Sequence, residues 1–184
     1  MDIYELIKHR QSDRKYDTER PVPPEAVERI LEAARLAPSA TNSQPWHFIV
    51  VDQPELRDLV AEALTSPLTG KMNHFARQAP LFIVVVEESG NISSRLGNVI
   101  KRRHFPHIDL GIAAEHIALA ATHEGLGSCI IGWVNEPKVR RVLGIPKSRR
   151  VPLVISLGYS LEEEKSKRRK PREEVISYNQ YQAK

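Results

Sequence analysis

Apolar positions along this chain recur at two spacings, and the points where one spacing gives way to the other mark its elements. Ile3, Leu6 and Ile7 at helical spacing after Asp2 predict a short first helix ending near His9. The charged segment behind it is expected to be extended. Pro23-Pro24-Glu25 opens a second helix with Val27, Ile30, Leu31 and Ala34 on one face, and Pro38 stops it by disfavouring helix at Ala37. A polar loop leads to a strand from Trp46 to Val51, then a helix from Pro54 to Leu64 with Leu56, Leu59, Val60 and Ala63 inward. Leu81 to Val86 is apolar at every position and reads as a buried strand, far short of the roughly 20 residues of a membrane helix. From about Ile108 to Glu124 runs a helix apolar nearly all round, which requires burial on several sides. Gly125-Leu126-Gly127 ends it, a short strand follows from Cys129 to Gly132, then a helix from Pro137 to Leu143 closed by Gly144, and a strand from Val151 to Leu157.

Helices and strands alternate, but the helices are unequal and one is wholly buried, so the expected class is α+β rather than doubly wound α/β. Residues 162–184 are polar, with Val175, Ile176, Tyr178 and Tyr181 as their few apolar anchors. Such an arm has to lie against something, and a partner subunit is one candidate. No repeat, linker or composition break divides residues 1–184, so a single domain is expected.

Composition narrows the function. The 184 residues are 41% hydrophobic, enough for one ordinary core. The net charge of +4 is spread between 27 basic and 23 acidic residues, apart from the run Lys165 to Arg172. A single Cys129 excludes an intrachain disulfide framework, and Met1 to Glu5 carries no secretion signal, so a cytoplasmic protein is expected; the Asn91-Ile92-Ser93 sequon then has no use.

Arg10, Ser12 and Arg14 stand at i, i+2 and i+4, so on an extended segment two guanidiniums and a hydroxyl share one side. Arg suits a phosphate because its planar fork donates two parallel hydrogen bonds, and it suits an electron-accepting ring because it keeps its proton. Lys167 and Arg169 repeat the i, i+2 pattern before Pro171. Ser39, Thr41, Asn42 and Gln44 offer donors and acceptors on a loop pinned between a proline-stopped helix and Pro45-Trp46, although turn chemistry alone accommodates these residue types. Gly125-Leu126-Gly127 follows a helix and precedes a strand, the reverse of a dinucleotide fingerprint. His104 and His107 have Asp109 nearby, but no further Cys or His pair completes a four-ligand set, and no metal is expected. Cys129 between Ser128 and Ile130 reads as a buried thiol.

With these residues in view, the chain resembles the FMN-dependent nitroreductase family, the oxygen-insensitive NAD(P)H nitroreductase and flavin reductase group. The resemblance rests on Arg10-x-Ser12-x-Arg14, on Ala37 to Phe48, on Ala79-Pro80 before the apolar strand, on Gly125 to Gly132, and on Lys167-x-Arg169-x-Pro171-x-Glu173-Glu174-Val175. It implies a central, mainly antiparallel sheet flanked by helices and an interlocked homodimer with FMN at the interface. By matching position, Arg10, Lys167 and Arg169 would hold the phosphate, Ser12 would fix the neighbouring chain, and Arg14 would lie near the flavin N1 and O2 edge. Gln11 replaces a basic residue common beside Arg10. Pro38, Ser39, Ala40 and Asn42 would come from the other subunit, with Ala40 where many relatives have Ser. The backbone around Ile131 and Gly132 would face N5 and O4. Asn73 is the candidate for a ribityl contact, and Lys71 or Arg77 for the ring. The implied activity is hydride transfer from NAD(P)H through FMN to nitroaromatics, quinones or flavins, with no obligatory protein acid or base. Little room remains for a long helical excursion, so an open pocket is expected. A flavin enzyme acting on an enone or halogenated ring is one alternative. A basic nucleic-acid module using Arg168 to Arg172 is another, but that run has no interleaved aromatic.

Overall fold

The computed structural model describes residues 1–65, 72–90 and 104–182; Lys71 and the Asn91-Ile92-Ser93 sequon lie outside them. Strands β1 (Trp46–Val51), β2 (Leu81–Glu87), β3 (Gly127–Ile131) and β4 (Arg150–Gly158) form one antiparallel sheet in the order β1-β2-β4-β3. Around it stand helices α1 (Ile3–His9), α2 (Pro24–Arg35), α3 (Pro54–Leu64), α4 (Phe105–His123) and α5 (Glu136–Val142), with a single turn α6 (Arg172–Val175) in the arm. The α+β expectation holds. No helix among the described residues is long and apolar enough to cross a membrane.

Both faces of the sheet are covered, which explains why β2 is apolar without interruption. Phe82, Val84 and Val86 point to one side, where Val60, Ala61 and Leu64 of α3 and Val139 of α5 close over them. Leu81, Ile83 and Val85 point to the other, against Val27, Ile30 and Ala34 of α2 and Leu110, Ile117 and Ala121 of α4. Each such aliphatic side chain contributes roughly 1.5–3 kcal/mol when fully removed from water. An alternating polar position here would leave a polar group inside one of the two cores.

Two boundaries differ from the periodic reading. Helix α4 starts at Phe105 rather than near Ile108, because Pro106 sits in the first turn, where its missing N–H costs no intrahelical bond. Strand β3 starts at Gly127 and ends at Ile131. Gly127 can pair there because it lacks a side chain: a Cβ would lie 2.8 Å from Cγ and Oδ2 of Asp13.

Some apolar surface stays outside. Asp2 caps α1 by accepting from the Tyr4 and Glu5 amides at 2.8 and 2.9 Å, yet α1 buries no residue completely. Tyr4, Tyr178 and Tyr181 are 74%, 71% and 91% exposed, and Ile108, Ile130 and Trp133 are also largely open.

Candidate functional site

The segment behind α1 is extended, as its charge pattern suggested, and it lies along the free side of β3. Ser12 bridges Ser128 in parallel, Tyr16 bridges Ser160, and the Asp13 amide donates to the Ser128 carbonyl at 2.9 Å. Asp13 and Tyr16 are buried, Arg10, Gln11 and Ser12 are half-buried, and Arg14 is exposed. The Arg14 guanidinium turns back to donate to the Ser12 carbonyl at 3.3 Å and lies 5.9 Å from the Phe75 ring centroid, within cation–π range.

The inward residues were missed by the sequence reading, which weighed only the outward set. Asp13 Oδ1 accepts from Gln11 Nε2 at 2.9 Å and from the Ser160 hydroxyl at 2.7 Å, while Oδ2 accepts from the Ser128 amide at 3.2 Å. The Tyr16 hydroxyl donates to the Asp13 carbonyl at 2.9 Å, and burial raises the phenol's pKa so that it stays protonated. A buried carboxylate with donors on both oxygens is a rigid anchor.

Gln11 ties that anchor to the C-terminal arm. Its amide nitrogen also donates to the Glu163 carbonyl at 3.2 Å, and its oxygen accepts from the Lys165 amide at 3.0 Å. In this chain Gln11 therefore holds the arm. Two residues later Lys167 Nζ donates to the Lys8 carbonyl in the last turn of α1, which brings its ammonium to the helix end that carries Arg10. Arg10 Nε forms a long ion pair with Glu115 Oε1 at 3.8 Å, and among the described residues its guanidinium makes no hydrogen bond. Arg169 is exposed and, among the described residues, donates to the Arg168 carbonyl at 2.8 Å. Of the expected cations, Lys167 reaches the end of α1 that leads into Arg10, whereas Arg169 turns to its own neighbour. The basic run is partly absorbed by the fold, since Lys165 pairs with Glu162 as well.

The loop before β1 is held by different means. Residues Ala40–Asn42 form one 3-10 turn in which Thr41 and Asn42 both have φ of 53°, and Gln44 has φ of 45°. Positive φ is unfavourable for residues with a Cβ, and clusters of it mark functional loops. The Ser39 hydroxyl accepts from the Gln44 amide at 2.9 Å, and Gln44 Nε2 donates to Asn42 Oδ1 at 3.1 Å. From α4, buried Asp109 accepts the Ala40 amide through Oδ1 at 3.0 Å. Asp109 therefore serves the loop. Pro38 is exposed at the end of α2. The six-residue step from Asp109 to Glu115 turns about 120° around the helix, so the loop and Arg10 contact different faces of α4.

At the far end of β3, Ile131 is buried opposite Val154 and Gly132 is exposed with open space where a Cβ would be. Asn73 has φ of 62° and donates through its side-chain amide to the Leu64 carbonyl at 3.1 Å, tying the start of the 3-10 segment to the end of α3. That bond gives it a local structural task. Arg77 lies on the same segment and is exposed. Burial raises the Cys129 pKa against the opposing pull of Arg14, which keeps the thiol unreactive. A cavity of about 770 Å³ is lined by Val22, Val27, Val50, Arg57 and neighbours, and includes none of the candidate residues.

Comparison with known proteins gives the fold and the residues a family. Residues 7–159 match the model described as the nitroreductase family. An Archaeoglobus fulgidus protein provisionally named NADH dehydrogenase/NAD(P)H nitroreductase is 38% identical over 88% of this chain and 87% of its own. The structure of a Clostridium novyi NT nitroreductase family protein superposes with a TM-score of 0.74 at 34% identity, over 87% of this chain and 86% of that one. The FMN-dependent nitroreductase of Clostridium difficile R20291 does so with a TM-score of 0.78 at 30% identity, over 97% and 100%. The antiparallel sheet, its two helical layers and these similarities agree: the chain belongs to the nitroreductase family.

Proposed function

We propose that the protein is an FMN-dependent NAD(P)H oxidoreductase acting on electron-poor acceptors such as nitroaromatics, quinones or flavins, with reductant and acceptor using one site in turn. The observation that carries this reading is Lys167 on the Lys8 carbonyl, which brings a late cation to the end of α1 that leads into Arg10. That donor set fits a phosphate dianion. Bound FMN would supply the two-electron relay between nicotinamide and acceptor.

The chain's own residues bind and orient. Arg10 and Lys167 neutralise the phosphate, with Ser12 adding a donor along the same stretch. The Arg14 guanidinium offsets negative charge at the N1 and O2 edge of the ring. The amides around Ile131 and Gly132 serve the opposite edge as fixed donors that need no titration. Pro38, Ser39, Ala40 and Asn42 come from a second copy, because loop and cations contact different faces of α4. The exposed apolar residues of α1 and the arm supply the surface for such a homodimer.

The test is the visible spectrum of the purified protein with FMN titration, then anaerobic titration with NADH and with NADPH. A yellow protein bleached by a nicotinamide is expected; a colourless one that stays apo with added FMN overturns the proposal. Arg10→Ala should weaken FMN binding by about 1.5–3 kcal/mol, the worth of one charge-assisted contact. Light scattering should give twice the chain mass.

A further inference from the structure

The end of β2 and the start of α4 bring together Glu87, His104 and His107, and no part of the proposed flavin chemistry uses them. His104 Nε2 lies 2.8 Å from Glu87 Oε1, and His107 Nε2 lies 3.3 Å from Glu87 Oε2. The two imidazole rings meet edge to face with centroids 4.0 Å apart, and one ligand atom from each of the three residues falls within 4.8 Å of the others. Glu87 Oε2 is buried and has no hydrogen-bond partner among the described residues. We propose that these three side chains bind a divalent transition-metal ion, of which zinc is the type.

The donor chemistry selects the ion. Two imidazole nitrogens and one carboxylate suit zinc, nickel or copper, whereas magnesium and calcium require oxygen shells. Donor atoms around a tetrahedral ion with bonds of roughly 2.0–2.1 Å are about 3.4 Å apart, so the 2.8 Å contact of His104 with Glu87 has to open slightly. It can open, because the His104 and His107 side chains are 50% and 54% exposed. Glu87 is 13% exposed and fixed by the sheet, which makes it the rigid member. The described cations nearby are paired: Arg150, opposite Glu87 in the β2–β4 register, holds Glu136 at 2.8 Å, and Arg149 holds Glu88 at 2.8 Å. Among the described residues the carboxylate of Glu87 is left to the imidazoles. With three protein ligands, one position remains for water.

Binding there would staple the first turn of α4 to the end of β2, across the 17-residue separation between Glu87 and His104. Asp109, which holds the Ala40 amide, lies two residues beyond His107, so the staple also fixes the support of the site loop. Pairing of His with its sequence neighbour Asp109 suggested no complete ligand set; the missing member comes from the sheet.

The experiment is equilibrium dialysis of the purified full chain against Zn²⁺, with millimolar Mg²⁺ present and metal analysis of both sides. One tightly held zinc is expected per chain, lost in His104→Ala/His107→Ala and retained in His47→Ala/His123→Ala, which removes two other exposed histidines. Changes outside the ligand sphere alone cost about 10–100-fold in metal affinity, so the double variant should lose at least about tenfold. Saturating zinc should raise the Tm of the wild type by on the order of 5 °C and leave the double variant unmoved. Zinc uptake unchanged by the double substitution, uptake lost equally in His47→Ala/His123→Ala, or displacement by Mg²⁺ would each overturn the site. Because His104 and His107 are exposed, the metal-free urea midpoint of the double variant should match wild type, which separates lost binding from lost fold.

Discussion

Asp13 and Asp109 are both almost completely buried, at 4% and 3% exposure, and each anchors a polar segment that carries candidate site residues. They are not equivalent. Asp13 has donors on both oxygens, all from within the chain, and the segment it holds lies in relaxed extended geometry against β3. Asp109 uses Oδ1 for the Ala40 amide, while Oδ2 has no partner among the described residues, and the loop it supports keeps positive φ at Thr41, Asn42 and Gln44. A fully satisfied carboxylate makes a permanent wall. A half-satisfied one under a strained loop makes a part with bonding capacity left over.

The largest effect should come from removing the finished anchor. Asp13→Ala leaves the Ser128 amide, the Ser160 hydroxyl and the Gln11 amide without their acceptor, and should cost about 3 kcal/mol by urea denaturation. It should also release the arm, because Gln11 would lose the carboxylate that orients it. Gly127→Ala attacks the same place from the other side. Its Cβ would meet Asp13 and the Ser160 Cβ at 2.8 Å, so about 2 kcal/mol is expected from overpacking. If either variant denatures like wild type, the anchor does not have the weight given to it.

The contrast also explains what could be read from the chain. The helices and strands were legible because each carries its own periodic pattern: β2 is apolar on both sides, and α2 has a single apolar face. Asp13 was legible in principle, since it alternates with Ser12 and Arg14 and so had to point the other way. Gln11 was not, because its contacts with Glu163 and Lys165 span 152 and 154 residues and no local pattern encodes them. Lys167 and Arg169 share a spacing yet separate in space, since only Lys167 meets the end of α1. Asn73 was chosen by position and is occupied by a turn. Glu87, likewise, is joined to His104 by the fold rather than by proximity in sequence.

Asp109→Ala should have a smaller effect on stability than either change at the first anchor, about 1 kcal/mol, because one hydrogen bond is lost. Its effect on FMN affinity should exceed its effect on the urea midpoint, since the loop loses its support while the core keeps its packing. Asp109→Asn retains an acceptor for the Ala40 amide and should restore both. A stability loss in Asp109→Ala as large as in Asp13→Ala would erase the distinction between the two anchors.

The smallest effect is a pH dependence confined to the finished anchor. Glu162 begins where β4 hands over to the arm; burial works to raise its pKa, but hydrogen bonds from Lys165 and the Arg14 amide outweigh burial and leave it below the ordinary 4.5. A carboxylate whose folded pKa is depressed stabilises fully above its unfolded value and loses that contribution as pH falls through the folded one. Between pH 7 and pH 3, wild type should therefore lose more of its urea midpoint than Glu162→Gln, which cannot ionise. The protection factor of the Arg14 amide, corrected for the intrinsic slowing of exchange in acid, should fall over the same range, because its acceptor becomes a neutral acid, while protection at Ala40 reports the Asp109 support separately. Parallel pH profiles for wild type and Glu162→Gln would detach Glu162 from the anchor, leaving Asp13 and Gln11 alone to hold the arm against α1.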